Sequence, residues 1–95
     1  MIEIMSFRLA ADADADAFLV ADRRVQSDFA YHQPGLLRRT TARGADGAWI
    51  VIDVWRSESD AEATAALWGG EESTSTFMSF LDPTTVRTER YTTLD

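Results

Sequence analysis

Ala48-Trp49-Ile50-Val51-Ile52-Asp53-Val54-Trp55-Arg56 is the stretch on which the fold turns. Side chains alternate between the two faces of a strand. Trp49, Val51, Asp53 and Trp55 therefore share one face, and Ala48, Ile50, Ile52 and Val54 the other. Antiparallel sheets commonly keep one face dry and one wet; here both are apolar, so both must be covered. The pattern predicts a central strand. Asp53 is its one interruption, set between two tryptophans, where a carboxylate is costly to bury unless it is paired.

Working outward, Ala45-Asp46-Gly47 precedes this strand and reads as a tight turn. Glycine in third place suits a three-residue hairpin loop, a type I turn closed by a left-handed residue. Residues 36–43 then form the partner strand. The three-residue loop sets Arg39 opposite Asp53, whereas a two-residue loop would set Arg38 there; either register makes an arginine its cross-strand neighbour. Residues 2–9 make a first strand with apolar residues on both parities, and the threonine-rich 84–93 a last one. Between them, 12–32 has helical spacing: Phe18, Val25, Phe29 and His32 form one stripe. Asp12, Asp14 and Asp16 suit its N-terminus, and Pro34-Gly35 stops it. A second helix begins at Ser57-Glu58-Ser59-Asp60, with Ser57 or Ser59 as cap. Ala61, Ala65 and Trp68 share its face, and Gly69-Gly70 ends it. Residues 71–81 predict a short extra helix, broken by Asp82-Pro83.

The 95 residues make one domain, 1–95, with a thin core. A hydrophobic share of 45% is too high for disorder. The formal charge is −7 and lysine is absent, which excludes nucleic acid and anionic membranes as ready partners. With no cysteine there is neither a disulfide frame nor a thiolate site. No run of about 18 apolar residues and no signal-peptide pattern is present, so a cytoplasmic location is expected. No metal site is expected from one histidine and no cysteine. Asp12–Asp16 alternates like a calcium loop, but Ala17 stands where the turn glycine belongs and Arg23 where the bidentate glutamate belongs. Nucleophile elbows and phosphate loops are absent.

The order β-α-β-β-α-β predicts an α+β, ferredoxin-like domain: a four-stranded antiparallel sheet with two helices on one face. The other face keeps apolar residues, and exposed contiguous apolar surface implies a partner. A second copy, packed sheet to sheet by two-fold symmetry, is the economical one.

Gln33-Pro34-Gly35-Leu36-Leu37, Trp49 through Ser57, and Asp60-Ala61 at the start of the second helix carry a family likeness. The chain resembles the dimeric α+β barrel superfamily, in particular the antibiotic-biosynthesis-monooxygenase-like domains. The resemblance implies a homodimer with a ligand cavity between each sheet and its helices. It also implies candidate activities: cofactor-free oxygenation of aromatic compounds, quinol oxygenation or haem degradation. The haem-degrading members use an asparagine and a histidine from the second helical region. This chain has no asparagine, and its one histidine ends the first helix, so haem is disfavoured and no bound cofactor is expected.

The function expected is oxidation of a small electron-rich aromatic whose anion itself reduces oxygen, leaving the protein to bind, deprotonate and exclude water. His32, an imidazole that titrates near neutral pH, or Asp53 is the expected base. Arg38 or Arg39 would hold the anion. Trp49, Trp55, Trp68 and Phe77 would line an aromatic pocket. The contrasting reading is a non-catalytic ligand-binding or structural homodimer, in which His32 only packs, Asp53 makes a cross-strand ion pair and the aromatics fill the core.

Overall fold

A computed structural model describes residues 1–95. The elements are β1 (Ile2–Phe7), α1 (Ala15–Asp28), β2 (Leu36–Arg43), β3 (Trp49–Trp55), α2 (Glu58–Trp68), α3 (Glu72–Ser79) and β4 (Arg87–Tyr91). The four strands form one antiparallel sheet in the order β2-β3-β1-β4. This is the α+β, ferredoxin-like arrangement with one added helix, and β3 is central as its two-sided apolar pattern requires.

The hairpin loop is the three-residue form. Gly44 N–H bonds Ala48 O at 2.7 Å, and Gly47 takes a φ of +87°. Arg39 consequently lies opposite Asp53, and Thr41 and Arg43 oppose Val51 and Trp49. Ser57, not Ser59, caps α2: its hydroxyl accepts from Asp60 N at 3.2 Å. Asp14 caps α1 by accepting from Asp16 N and Ala17 N.

Several expected elements are shorter: the last strand, expected over 84–93, spans only Arg87–Tyr91, because Pro83–Thr85 form a 3₁₀ turn capped by Asp82. The first strand ends at Phe7, and Leu9 pairs alone with Leu81. The first helix ends at Asp28 rather than running on to residue 32. Phe29 leaves the helical path at φ −128°, and Ala30–His32 tighten into a 3₁₀ turn. That turn rotates the stripe: Phe18, Val25 and Phe29 are buried, but His32 is exposed.

The core lies between the helices and the sheet face that carries Phe7, Trp49 and Val51. Phe18 is at its centre, with ring centroids 5.0 Å from Trp49, 5.3 Å from Phe77 and 5.7 Å from Phe7. The Trp49 and Phe7 pairs are edge-on and the Phe77 pair is tilted at 44°; aromatic pairs contribute about 0.5–1.5 kcal/mol each beyond area burial. The opposite face presents Ile2, Ile4, Ile50, Ile52 and Val54, covered by no element of this chain; register and side-chain alternation put Arg38, Thr40 and Ala42 beside them.

Candidate functional site

The register sets four charged residues in one row across the helix-facing side of the sheet. Arg39 on β2 opposes Asp53 on β3, Asp53 opposes Glu3 on β1, and Glu3 opposes Arg90 on β4. The row borders a cavity of about 310 Å³ between the sheet and α2, near the lower end of the range for small-ligand sites. Met5, Val51, Trp55, Trp68, Met78 and Val86 supply most of its apolar wall.

Charge along the row is unevenly matched. Arg90 donates to Glu3 at 2.8 Å and reaches Glu62 and Glu58 at 3.5 and 3.7 Å, so it ties β1, β4 and α2 together beside the cavity. Arg39, only 5% exposed, does not bond the carboxylate opposite it. Its guanidinium turns up to α1 and donates to Asp22 at 2.7 Å, in a pair buried on both sides. Thr41 donates to the same Asp22 oxygen at 2.9 Å. The expected cross-strand ion pair between Asp53 and Arg39 is therefore corrected: the register is right, but Asp22 takes the arginine.

Asp53 is left over. Its Oδ1 is buried without a hydrogen-bond partner, and the same is true of Trp55 Nε1, two residues along the same face of β3. Burial pushes the Asp53 carboxyl up to about 6; Arg39 pulls it down, and Glu3 and Asp22 push it further up. A carboxyl in such a position changes charge near neutral pH, where a general base is most effective. An isolated carboxyl with a raised proton affinity beside a cavity is also what a functional site offers.

The remaining candidates divide cleanly. Trp55 and Trp68 line the cavity with Asp53 and Arg39. Trp49 and Phe77 belong to the packed core and do not line it. Trp49 instead lies under the Arg43 guanidinium, 5.1 Å from the ring centroid. Arg38 is exposed on the other side of the sheet and donates to Thr40 at 3.2 Å, because the three-residue loop gives it the opposite parity. His32 stands outside the cavity, carried to the surface by the 3₁₀ turn.

Asp22, Glu3 and Arg90 were not singled out in the sequence, though the first two left a trace there. Asp22 lies four residues after Phe18 and three before Val25, which puts a carboxylate on the apolar stripe of a helix. Glu3 interrupts the inward parity of Met5 and Phe7 as Asp53 interrupts that of its strand. Thr74 supports the site from behind: its hydroxyl donates to Trp68 O and Glu71 O and so fixes the turn between α2 and α3 that presents Trp68.

No protein-family model matches the chain, and no curated protein is significantly similar to it. Solved structures are similar over its whole length. SnoaB, a cofactor-independent oxygenase from Streptomyces nogalater, matches with a TM-score of 0.81 at 19% identity, covering 99% of this chain and 92% of SnoaB. A candidate antibiotic biosynthesis monooxygenase from Nitrosomonas europaea matches at 0.72 and 18% identity, over 99% and 98% of the two chains. At3g17210 from Arabidopsis thaliana matches at 0.79 with 9% identity, over 99% and 95%. The chain thus has the fold that antibiotic-biosynthesis-monooxygenase-like proteins share, at less than 20% sequence identity to those named here.

Proposed function

We propose that the protein is a monooxygenase-like enzyme that oxidises a small, electron-rich hydroxylated aromatic in the cavity beside Asp53, without a bound cofactor. The observation that carries this reading is the buried, unpartnered Asp53 carboxyl among aromatic and apolar walls. The fold it shares with a cofactor-independent oxygenase gives it context.

The chemistry needs only the substrate, dioxygen and one base. In its keto form the aromatic carries an acidic CH2, and Asp53 takes one proton from it. The resulting anion gives an electron to dioxygen, and the two radicals join in a C–O bond. Asp53 returns its proton to the peroxide. It then takes the second C–H proton as the O–O bond breaks and passes it to the departing hydroxide, leaving a carbonyl, water and a free carboxylate, so that CH2 plus O2 becomes C=O plus H2O. Arg39 and Arg90, at the ends of the charged row, supply positive potential to hold the anion, and Trp55 and Trp68 flank the ring. His32 has no part in this scheme, since it is exposed and remote from the cavity wall.

The assembly proposed with it is a homodimer through the open face of the sheet. Its central rows are Ile2–Val54, Ile4–Ile52 and Ser6–Ile50, and contiguous apolar surface of this kind marks an interface.

Oxygen uptake with quinols and with one- and two-ring hydroxyaromatics tests the enzyme reading, with mass spectrometry following label from 18O2 into the product carbonyl. Asp53→Asn should bind the substrate and lose turnover by about 100-fold or more. Equal turnover in the variant would remove Asp53 as base. Binding without oxygen uptake for any compound would favour a non-catalytic ligand-binding homodimer.

A further inference from the structure

Arg39 stands beside two carboxylates and bonds only one. Register sets it directly opposite Asp53 on the neighbouring strand, where Cβ atoms lie roughly 5 Å apart and opposite charges stabilise each other. It pairs instead with Asp22, which α1 brings down onto the sheet between Phe18 and Val25. The hold is made from several sides. The Asp22 oxygen that accepts from Arg39 Nη2 at 2.7 Å also accepts from the Thr41 hydroxyl at 2.9 Å. Arg39 Nη1 donates to Gln26 Oε1 at 3.4 Å, and the guanidinium carbon lies 5.8 Å from the centre of the Phe77 ring. The backbone is pinned as well: Tyr31 Oη accepts from Arg39 N at 2.9 Å, on the free edge of β2. Neutralising Arg39 needs no acid from α1, since Asp53 already stands opposite. A second buried carboxylate is costly, and its effect is to leave Asp53 alone.

We infer that Asp22 is a positioning residue for Asp53: acting through Arg39, it keeps the guanidinium on α1 and so leaves the cavity carboxyl without an ion-pair partner. The inference deepens the reading of Asp53 as the base and rests on it for its purpose, since a carboxylate paired with arginine is a weak base. No other charged group around Asp53 takes the place of Arg39. Glu3 on β1 repels it, and Arg90 on β4 is taken up by Glu3, Glu58 and Glu62. The residues of α2 and α3 that line the cavity, Ala61, Thr64, Ala65, Trp68 and Met78, carry no titratable side chain.

Asp22→Asn removes the charge and keeps the shape. Followed by carbon NMR from about pH 3 to 8, the Asp53 carboxyl should titrate at about 6 in the wild-type protein. In Asp22→Asn it should titrate about one pH unit or more lower, because Arg39 then turns to Asp53. Arg39→Gln removes the intermediary. In that background Asp22→Asn should move the Asp53 midpoint far less, since only the weaker repulsion between the two acids is lost. A merely structural ion pair would lower stability and leave the Asp53 titration where it was. The wild-type protein gives a second readout if a variant fails to fold: crystals grown at about pH 5 and about pH 8 should both hold Arg39 on Asp22. An unchanged midpoint in Asp22→Asn, equal shifts in the two backgrounds, or an arginine that moves to Asp53 at the higher pH would each overturn the inference. A lowered midpoint in a protein that takes up no oxygen with any aromatic would leave it standing and remove the enzyme reading. Oxygen uptake that is lost in Asp53→Asn, with an Asp53 midpoint indifferent to Asp22, would do the reverse.

Discussion

At the scale of the residue, Asp53 gathers the chemistry because its neighbours are otherwise engaged. Facing it are Arg39 from β2, Glu3 from β1 and Asp22 from α1, with Arg90 beyond Glu3 on β4. Two arginines against three carboxylates leave one acid without a partner, and the most buried member of the row that lacks a hydrogen bond bears the excess. The consequence is a stability that falls with pH. Below the ordinary carboxylate value of 3.8 the group is protonated in folded and unfolded chains alike. Between 3.8 and about 6 only the folded chain keeps the proton, so each rise in pH favours unfolding. Above that, both states are ionised and the folded one carries the whole cost, about 3 kcal/mol across the window. Denaturant titrations of wild type and Asp53→Asn from pH 4 to 8 should show it: wild-type stability minus variant stability declines by about that amount. A flat difference would mean that the carboxyl is solvated or paired in solution. The base role predicts the opposite trend in activity, which should rise with pH through about 6 as the carboxylate forms. The sequence exposed Asp53 readily, because a lone acid in an apolar strand breaks a period of two. It hid Asp22, because an acid in mid-helix reads as part of the solvated face unless its place on the apolar stripe is noticed.

At the scale of the element, the site depends on how two loops deliver their strands and helices. The hairpin register was legible because Ala45-Asp46-Gly47 names its own turn type, and that register alone put Arg39 on the cavity side and Arg38 on the other. The end of α1 was not legible to the same degree. An apolar stripe continues through Phe29 whether the backbone is α-helical or 3₁₀, and only the tighter turn decides that His32 faces water. Gly35 is the corresponding pivot after α1. It takes a φ of +84°, its carbonyl accepts from Arg56 N at 2.8 Å, and a Cβ there would run into the Asp60 carboxylate. That carboxylate holds the start of α2, accepting from Ser57 Oγ at 2.9 Å and from Arg56 Nη2 at 3.0 Å. Gly35→Ala is therefore predicted to cost about 2 kcal/mol or more, the left-handed strain plus displacement of the cap. Thermal unfolding measures it. The same substitution in an Asp60→Ala background should cost less, since the carboxylate contacts are gone and only the contact with the Cβ of residue 60 and the backbone strain stay. Equal costs in the two backgrounds would mean that the loop relaxes away from α2.

At the scale of the whole molecule, the sheet divides its labour by parity. Trp49, Val51, Asp53 and Trp55 face the helices and build both core and cavity; Ile50, Ile52 and Val54 face away, beside Ile2 and Ile4 of β1. No element of residues 1–95 lies over that second face, and burying it against a second copy is the proposed solution. The geometry suits a two-fold axis, since an isologous interface needs a surface complementary to itself. The apolar strip runs between Arg38 on β2 at one edge and Arg87 with Glu89 on β4 at the other, so a two-fold pairing can bring Arg38 of each copy towards Glu89 of the other. Ile52 is the decisive residue, with Ile4 on one side and Thr40 on the other, at the middle of the face. Light scattering of the wild-type protein at micromolar concentration should return twice the chain mass. Ile52→Glu would have to bury a carboxylate at the centre of the interface, a cost of several kcal/mol, and should return a single chain mass. The variant leaves the cavity wall untouched, so its circular dichroism reports whether the domain is still folded. A folded monomer would place the dimer contact on this face. A wild-type monomer would sink the assembly outright, and a dimer that survives the glutamate would move the contact elsewhere on the molecule.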